Sequence, residues 1–174
     1  RPAEFPIRSM EESGSTKSRV QLEVLDSVNC PRYAGRAICG VKVGPSPNWL
    51  RHRLESMGMK SINNIVDVTN YVMLELGQPL HAFDIRQILG GKITVRAADA
   101  GETFQTFDGT EMKLAGDELT IRDSQRTVAL AGIIGGRNSG VENDTQDLFI
   151  ECANFLAAKI RRTMRLKGIQ TESG

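Results

Sequence analysis

The spacing of apolar residues shifts along the chain between two and three-to-four, and each shift marks an element. Alternation over residues 20–25 and 33–43 predicts strands, the second with bulges where Gly35 and Gly40 interrupt it. Ser46-Pro47 reads as a cap followed by the first position of a helix that Gly58 closes, with Trp49, Leu50, Leu54 and Met57 on one stripe. Its other face carries Arg51, His52, Arg53 and Glu55, so His52 reads as a solvated surface residue. A second helix is predicted over 67–76, where Val68, Tyr71, Val72 and Leu76 recur at helical spacing before Gly77 offers a left-handed stop. Pro79 forbids continuation, so residues 78–83 are expected as a loop that sets His81 just beyond a rigid helix end. Residues 84–89 suggest a short helix ended by Gly90-Gly91.

From residue 92 the pattern is strand-rich, with runs at 93–97, 103–107, 110–114, 118–122 and 127–131. Asp108-Gly109 between two of them signals a hairpin whose turn positions favour positive φ. Residues 147–152 form one more strand, and 155–167 a last helix with Asn154 as cap and Gly168 as stop. Short strands separated by turns predict an α+β fold: an antiparallel, strand-rich sheet or sandwich core flanked by helices.

Composition changes this picture little. Lys and Arg number 22 against 21 Asp and Glu, so the net charge of +1 leaves no polybasic footprint for non-specific nucleic-acid binding. The apolar runs fall far short of the ~18 residues of a membrane span, and no signal peptide is visible, which leads to the expectation of a soluble, cytoplasmic protein without a membrane partner. Three cysteines, at 30, 39 and 152, with no CxxC pair, argue against a disulfide framework and a zinc site of the usual spacing. Residues 1–19 have the composition of a flexible tail or linker, leaving residues 20–174 as the domain. The stop at residue 174, soon after a helical pattern, suggests a piece of a longer protein.

Four features carry candidate chemistry. His81 is one, held in Gly77-Gln78-Pro79-Leu80-His81; its alternative is a surface histidine bonded to a backbone carbonyl. Glu151 lies in the apolar run Leu148-Phe149-Ile150-Glu151-Cys152-Ala153, and a buried Glu needs a partner; the alternative places it on the solvent face with Phe149 and Ala153. Ala131-Gly132-Ile133-Ile134-Gly135-Gly136 fits neither a phosphate loop nor a dinucleotide fingerprint, yet glycines there let backbone amides approach a ligand. Finally, Lys159, Arg161, Arg162, Arg165 and Lys167 form either a solvated helix face or a phosphate-tracking surface. Gly-x-Ser-x-Gly and His-Glu-x-x-His are absent.

Taken together, Cys30-Pro31-Arg32-Tyr33-Ala34-Gly35-Arg36, Val66-Asp67-Val68-Thr69-Asn70-Tyr71-Val72, Gly77 through Asp84, the glycine run with Ser139-Gly140-Val141, and Glu151-Cys152-Ala153 resemble the central editing domain of the bacterial phenylalanyl-tRNA synthetase β subunit. The resemblance implies that fold and hydrolysis of tyrosyl-tRNA(Phe). It assigns Glu151 to the tyrosine hydroxyl, His81 to the editing site, Thr69 and Asn70 to the surroundings of the ester, and Gly132 to the pocket wall. Thr171 and Ser173 fall in its closing segment, where alanine is more usual at the second position. It further implies no cofactor in this domain, with ATP and Mg serving only the full synthetase. The implied partners are the acceptor end of tRNA(Phe), tyrosine or its mischarged ester, and the synthetase α subunit in a heterotetramer. The alternative is a non-catalytic scaffold or tRNA-contacting module that edits only within the whole enzyme.

Overall fold

The computed structural model describes residues 12–169 and Thr171. In chain order the elements are β1 (Gln21–Val24), β2 (Arg32–Ile38), α1 (Asn48–Ser56), α2 (Asn64–Leu76), β3 (Leu80–Asp84), β4 (Lys92–Ala97), β5 (Thr103–Gln105) and β6 (Glu111–Lys113). They continue as β7 (Leu119–Arg122), β8 (Thr127–Leu130), β9 (Ile134–Gly135), β10 (Leu148–Asn154) and α3 (Ala157–Lys167). A five-stranded sheet runs β1-β4-β7-β8-β9, a three-stranded sheet β2-β10-β3, and β5 pairs with β6. The expected α+β architecture is present, and all pairings are antiparallel except β1 with β4.

The core sits between the two larger sheets. Phe83 of β3 and Phe149 of β10 meet Ile93 and Val95 of β4, Ile121 of β7 and Val128 of β8. A second cluster lies under α3, where Ile160 joins Phe104, Leu114, Leu130 and Ile133. Strands β7 and β8 are buried at every position, as strands covered on both faces must be.

Several local expectations change. β2 ends at Ile38 and carries no bulge: Gly35 stays in register opposite Glu151. Its lack of a side chain instead admits the Phe149 ring, which a Cβ there would strike. α1 begins one residue later than its sequence signal, because Ser46 turns its hydroxyl to Asp67 and makes no cap. α2 begins three residues earlier, at Asn64, since the Asn63 side chain accepts from the Ile65 and Val66 amides. Its buried residues are Asp67 and Thr69, whereas Val68 and Leu76 are exposed. Asp67 faces inward because the Ser46 and Ser61 hydroxyls and the Ile62 amide all donate to it. The β5–β6 hairpin forms, with positive φ at Gly109 alone; Asp108 instead accepts from the Thr110 amide. Asn154 closes β10 and does not cap α3. Within the stretch expected as a tail, Thr16–Ser18 form a 3-10 turn, and the Ala37 amide donates to Thr16 Oγ1. No helix among the described residues is long and apolar enough to cross a membrane.

Candidate functional site

The segment expected as a loop around His81 is the edge strand β3. Gly77, at φ +68, ends α2, and the Gln78 side-chain amide donates to the Ala153 carbonyl at 3.1 Å, tying the turn to β10. Residues 80–84 then pair with β10, so that His81 stands opposite Glu151 and Phe83 opposite Phe149. The central strand β10 thus carries Phe149, Glu151 and Ala153 on one face, with His81 and Phe83 on one side and Tyr33 and Gly35 on the other. Phe149 is fully buried, so this shared face points inward and takes Glu151 with it, 6% exposed. The grouping expected from alternation is therefore present, but on the core side rather than the solvent side.

Burial sets the electrostatics of both groups. Nothing in the described structure bonds to His81 Nε2, a fully buried atom. Desolvation lowers its pKa to about 4, which keeps the imidazole neutral. The ring stands edge-on to Phe83, with centroids 4.4 Å apart, and lies so close to Gly135 that a Cβ there would meet Cε1 at 2.9 Å. Desolvation likewise raises the Glu151 carboxyl to about 7, against the opposing effect of a 2.6 Å hydrogen bond donated by the Tyr33 hydroxyl.

These residues border a cavity of about 440 Å³ between β3, β10, the β8–β9 turn and α3, within the size range of small-molecule sites. Ile121, Ala129, Ile133, Ile134, Phe155 and Ile160 give it apolar walls, while His81 and Glu151 bring polar groups to it. Gly132 lies on the wall at φ +65, and a Cβ there would press on Phe155 at 3.0 Å. Next to it, the Ala131 and Ile133 amides already donate to the Leu119 and Leu130 carbonyls.

The structure thus brings together His81, Glu151 and Gly132. Thr69 and Asn70 lie on α2, outside the cavity lining, and the Thr69 hydroxyl donates to the Val66 carbonyl. Thr171 is partly buried and also outside the lining, and Ser173 lies outside the described residues. Of the five basic residues on α3, Lys159 and Arg162 reach Asp117 and Lys167 reaches Glu118, while Arg161 stands exposed at the cavity. Tyr33 is not among the site residues expected from the sequence. Its signal in the sequence is parity: it is two residues from Gly35, on the same strand face. Among the described residues no three His, Cys, Asp or Glu side chains converge as a metal site.

Comparison with known proteins gives a consistent result. Over 169 residues the chain is 59% identical to the phenylalanine–tRNA ligase β subunit of Bdellovibrio bacteriovorus, covering 97% of this chain and 21% of that protein. The corresponding subunit of Geobacter metallireducens is 55% identical over 155 residues, covering 89% of this chain and 19% of that one. The chain spans about a fifth of the length of these relatives. Among solved structures, an N-terminal fragment of the phenylalanyl-tRNA synthetase β subunit from Pyrococcus horikoshii superposes with a TM-score of 0.59 at 18% identity, over 86% of this chain and 47% of that one, which shows a shared fold. The family model for the B3/4 domain matches residues 29–174, which takes in both strands that carry the candidate site, and the chain belongs to that family.

Proposed function

We propose that this chain is the editing domain of a phenylalanine–tRNA ligase β subunit and hydrolyses the ester of tRNA(Phe) mischarged with tyrosine. One observation carries this reading: a buried carboxylate, Glu151, beside an unpartnered imidazole in a cavity whose walls are otherwise mostly apolar. A pocket shaped for phenylalanine rejects an added hydroxyl by only about a hundredfold, whereas a site that bonds to the hydroxyl can reject its absence by about ten-thousandfold or more. Glu151 is suited to be such a second sieve. Its carboxylate accepts the para-hydroxyl of tyrosine, and low polarity around it strengthens that bond.

The reaction is addition of water to the ester carbonyl carbon, followed by breakage of the bond to the ribose oxygen. Free tyrosine and a tRNA ending in a ribose hydroxyl result, the water's protons being divided between that hydroxyl and the medium. A histidine titrating near 4 is a weak base at neutral pH, so His81 acts by hydrogen bonding: Nε2 orients the water or the ester oxygen. Thr69 and Asn70 belong with the ester end in this reading, a ribose hydroxyl assists, and backbone near Gly132 faces the developing oxyanion. By the same resemblance, Thr171 and Ser173 belong to the closing segment. In the whole synthetase, the α subunit joins this one in a heterotetramer and supplies the ATP- and Mg-dependent aminoacylation.

Incubation of the 174-residue chain with preformed tyrosyl-tRNA(Phe) tests this. Release of tyrosine faster than in buffer is expected. An ester left at its spontaneous rate overturns the claim for the isolated chain and favours a non-catalytic module that edits only within the full enzyme.

A further inference from the structure

Glu151 has a second neighbour besides His81. Tyr33 enters from β2, two register positions along and on the same face: it pairs with Ala153, while Gly35 pairs with Glu151. Its hydroxyl donates to Glu151 Oε2 at 2.6 Å, and Oε1 takes no hydrogen bond among the described residues. Resting on the editing reading above, we infer that Tyr33 is a positioning residue: it turns the Glu151 carboxylate and keeps it an acceptor, so that Oε1 is presented to a phenolic hydroxyl in the cavity.

Three observations support this. A carboxylate has two oxygens with about four acceptor sites, so one phenol on Oε2 leaves room for another on Oε1. Tyr33 is not among the residues lining the cavity, whereas Glu151 is; its hydroxyl therefore reaches the carboxylate from the sheet side and does not occupy the place of a ligand. Tyr33 also remains a donor, because burial and the Glu151 charge push its own pKa well above 10. Without that donor a carboxyl already lifted to about 7 rises further. It is then protonated at neutral pH, and the charge-assisted bond that distinguishes a phenol from a plain ring is lost. The other groups around Glu151 do not replace Tyr33. His81 on β3 is neutral, Cys30 ahead of β2 is itself pushed up to about 11, and Arg161 on α3 stands exposed at the cavity.

The test is Tyr33→Phe in the full chain. Two quantities are measured: the titration of Glu151 by carboxyl-carbon NMR, and the affinities of free L-tyrosine and L-phenylalanine by calorimetry near pH 7.5. Removing one hydrogen bond to a charge should raise the Glu151 pKa by about one unit and, through the smaller ionised fraction at that pH, cut the tyrosine-over-phenylalanine preference about threefold. In a Glu151→Gln background the same change should leave the preference as it is. An unmoved titration, or tighter tyrosine binding as if a plug had been removed, overturns the inference. Incorporating 3-fluorotyrosine at position 33 keeps the ring and makes a stronger donor, so it should lower the Glu151 pKa and decides the matter even if Tyr33→Phe fails to fold. A wild-type chain with no preference for tyrosine counts against the editing reading instead, while the titration still decides whether Tyr33 holds the carboxylate.

Discussion

Replacing Glu151 with Gln keeps the outline of the side chain and removes its charge, and the consequence for stability has a fixed sign in pH. Burial lifts the carboxyl from 4.5 to about 7. Between those values the folded chain keeps a proton that the unfolded chain has released. Wild-type stability therefore falls as pH rises through this window and levels off above it. At about 1.4 kcal/mol per pH unit, the accumulated cost is about 3 kcal/mol. His81 works the other way. Its folded pKa of about 4 lies below the ordinary 6.5, so stability is lost as pH falls from 6.5 towards 4. The two slopes oppose each other over about two pH units, and the wild-type curve alone should look nearly flat there. Subtracting it from that of Glu151→Gln cancels the histidine and exposes the carboxylate. Urea unfolding at 25 °C from about pH 4.5 to 8.5 provides both curves. The variant should gain about 3 kcal/mol on the wild type across that range, mostly between pH 5 and 7. A difference that is constant with pH, or that grows towards acid, would refute burial as the cause.

Other consequences are separable. His81→Ala should slow release of tyrosine from tyrosyl-tRNA about a hundredfold or more, as loss of a group at the reacting centre does, and unchanged turnover would remove His81 from the mechanism. Gly35→Ala drives a methyl into the Phe149 ring and should cost about 1–3 kcal/mol in urea unfolding; a loss under about 0.5 kcal/mol would mean that the ring yields freely. Asp67→Ala leaves the Ser46 and Ser61 hydroxyls and the Ile62 amide without their acceptor. It should destabilise the chain by about 3 kcal/mol and speed amide exchange at Ile62, whereas unaltered exchange there would show that Asp67 does not pin the turn.

What the sequence disclosed follows the range of the interactions. Elements set by local signals were legible: Gly77 ends α2, and Asp108-Gly109 makes the hairpin. Elements set by distant pairing were not. Residues 78–83 read as a loop because Pro79 and Gly77 dominate locally, yet β10, some 70 residues later, makes a strand of residues 80–84. Gly35 looked like a bulge because its reason, the Phe149 ring, lies on another strand. The apolar stripe assigned to α2 ran against burial because three donors outside the helix hold Asp67 inward. At the site, His81 and Glu151 stood out as polar residues in constrained or apolar settings, and the fold sets them face to face. Tyr33 carries a weaker mark, its parity with Gly35 on one strand face, and the hydrogen bond to Glu151 is what shows its part in the site.

In the proposed function, Glu151 reads the tyrosine hydroxyl. Single-turnover hydrolysis of tyrosyl-tRNA(Phe) and phenylalanyl-tRNA(Phe), by the wild-type chain and by Glu151→Ala, tests it most directly. A strong wild-type preference for the tyrosyl ester that collapses in the variant is expected; a variant that still discriminates as the wild type does would remove Glu151 as the reader of the hydroxyl.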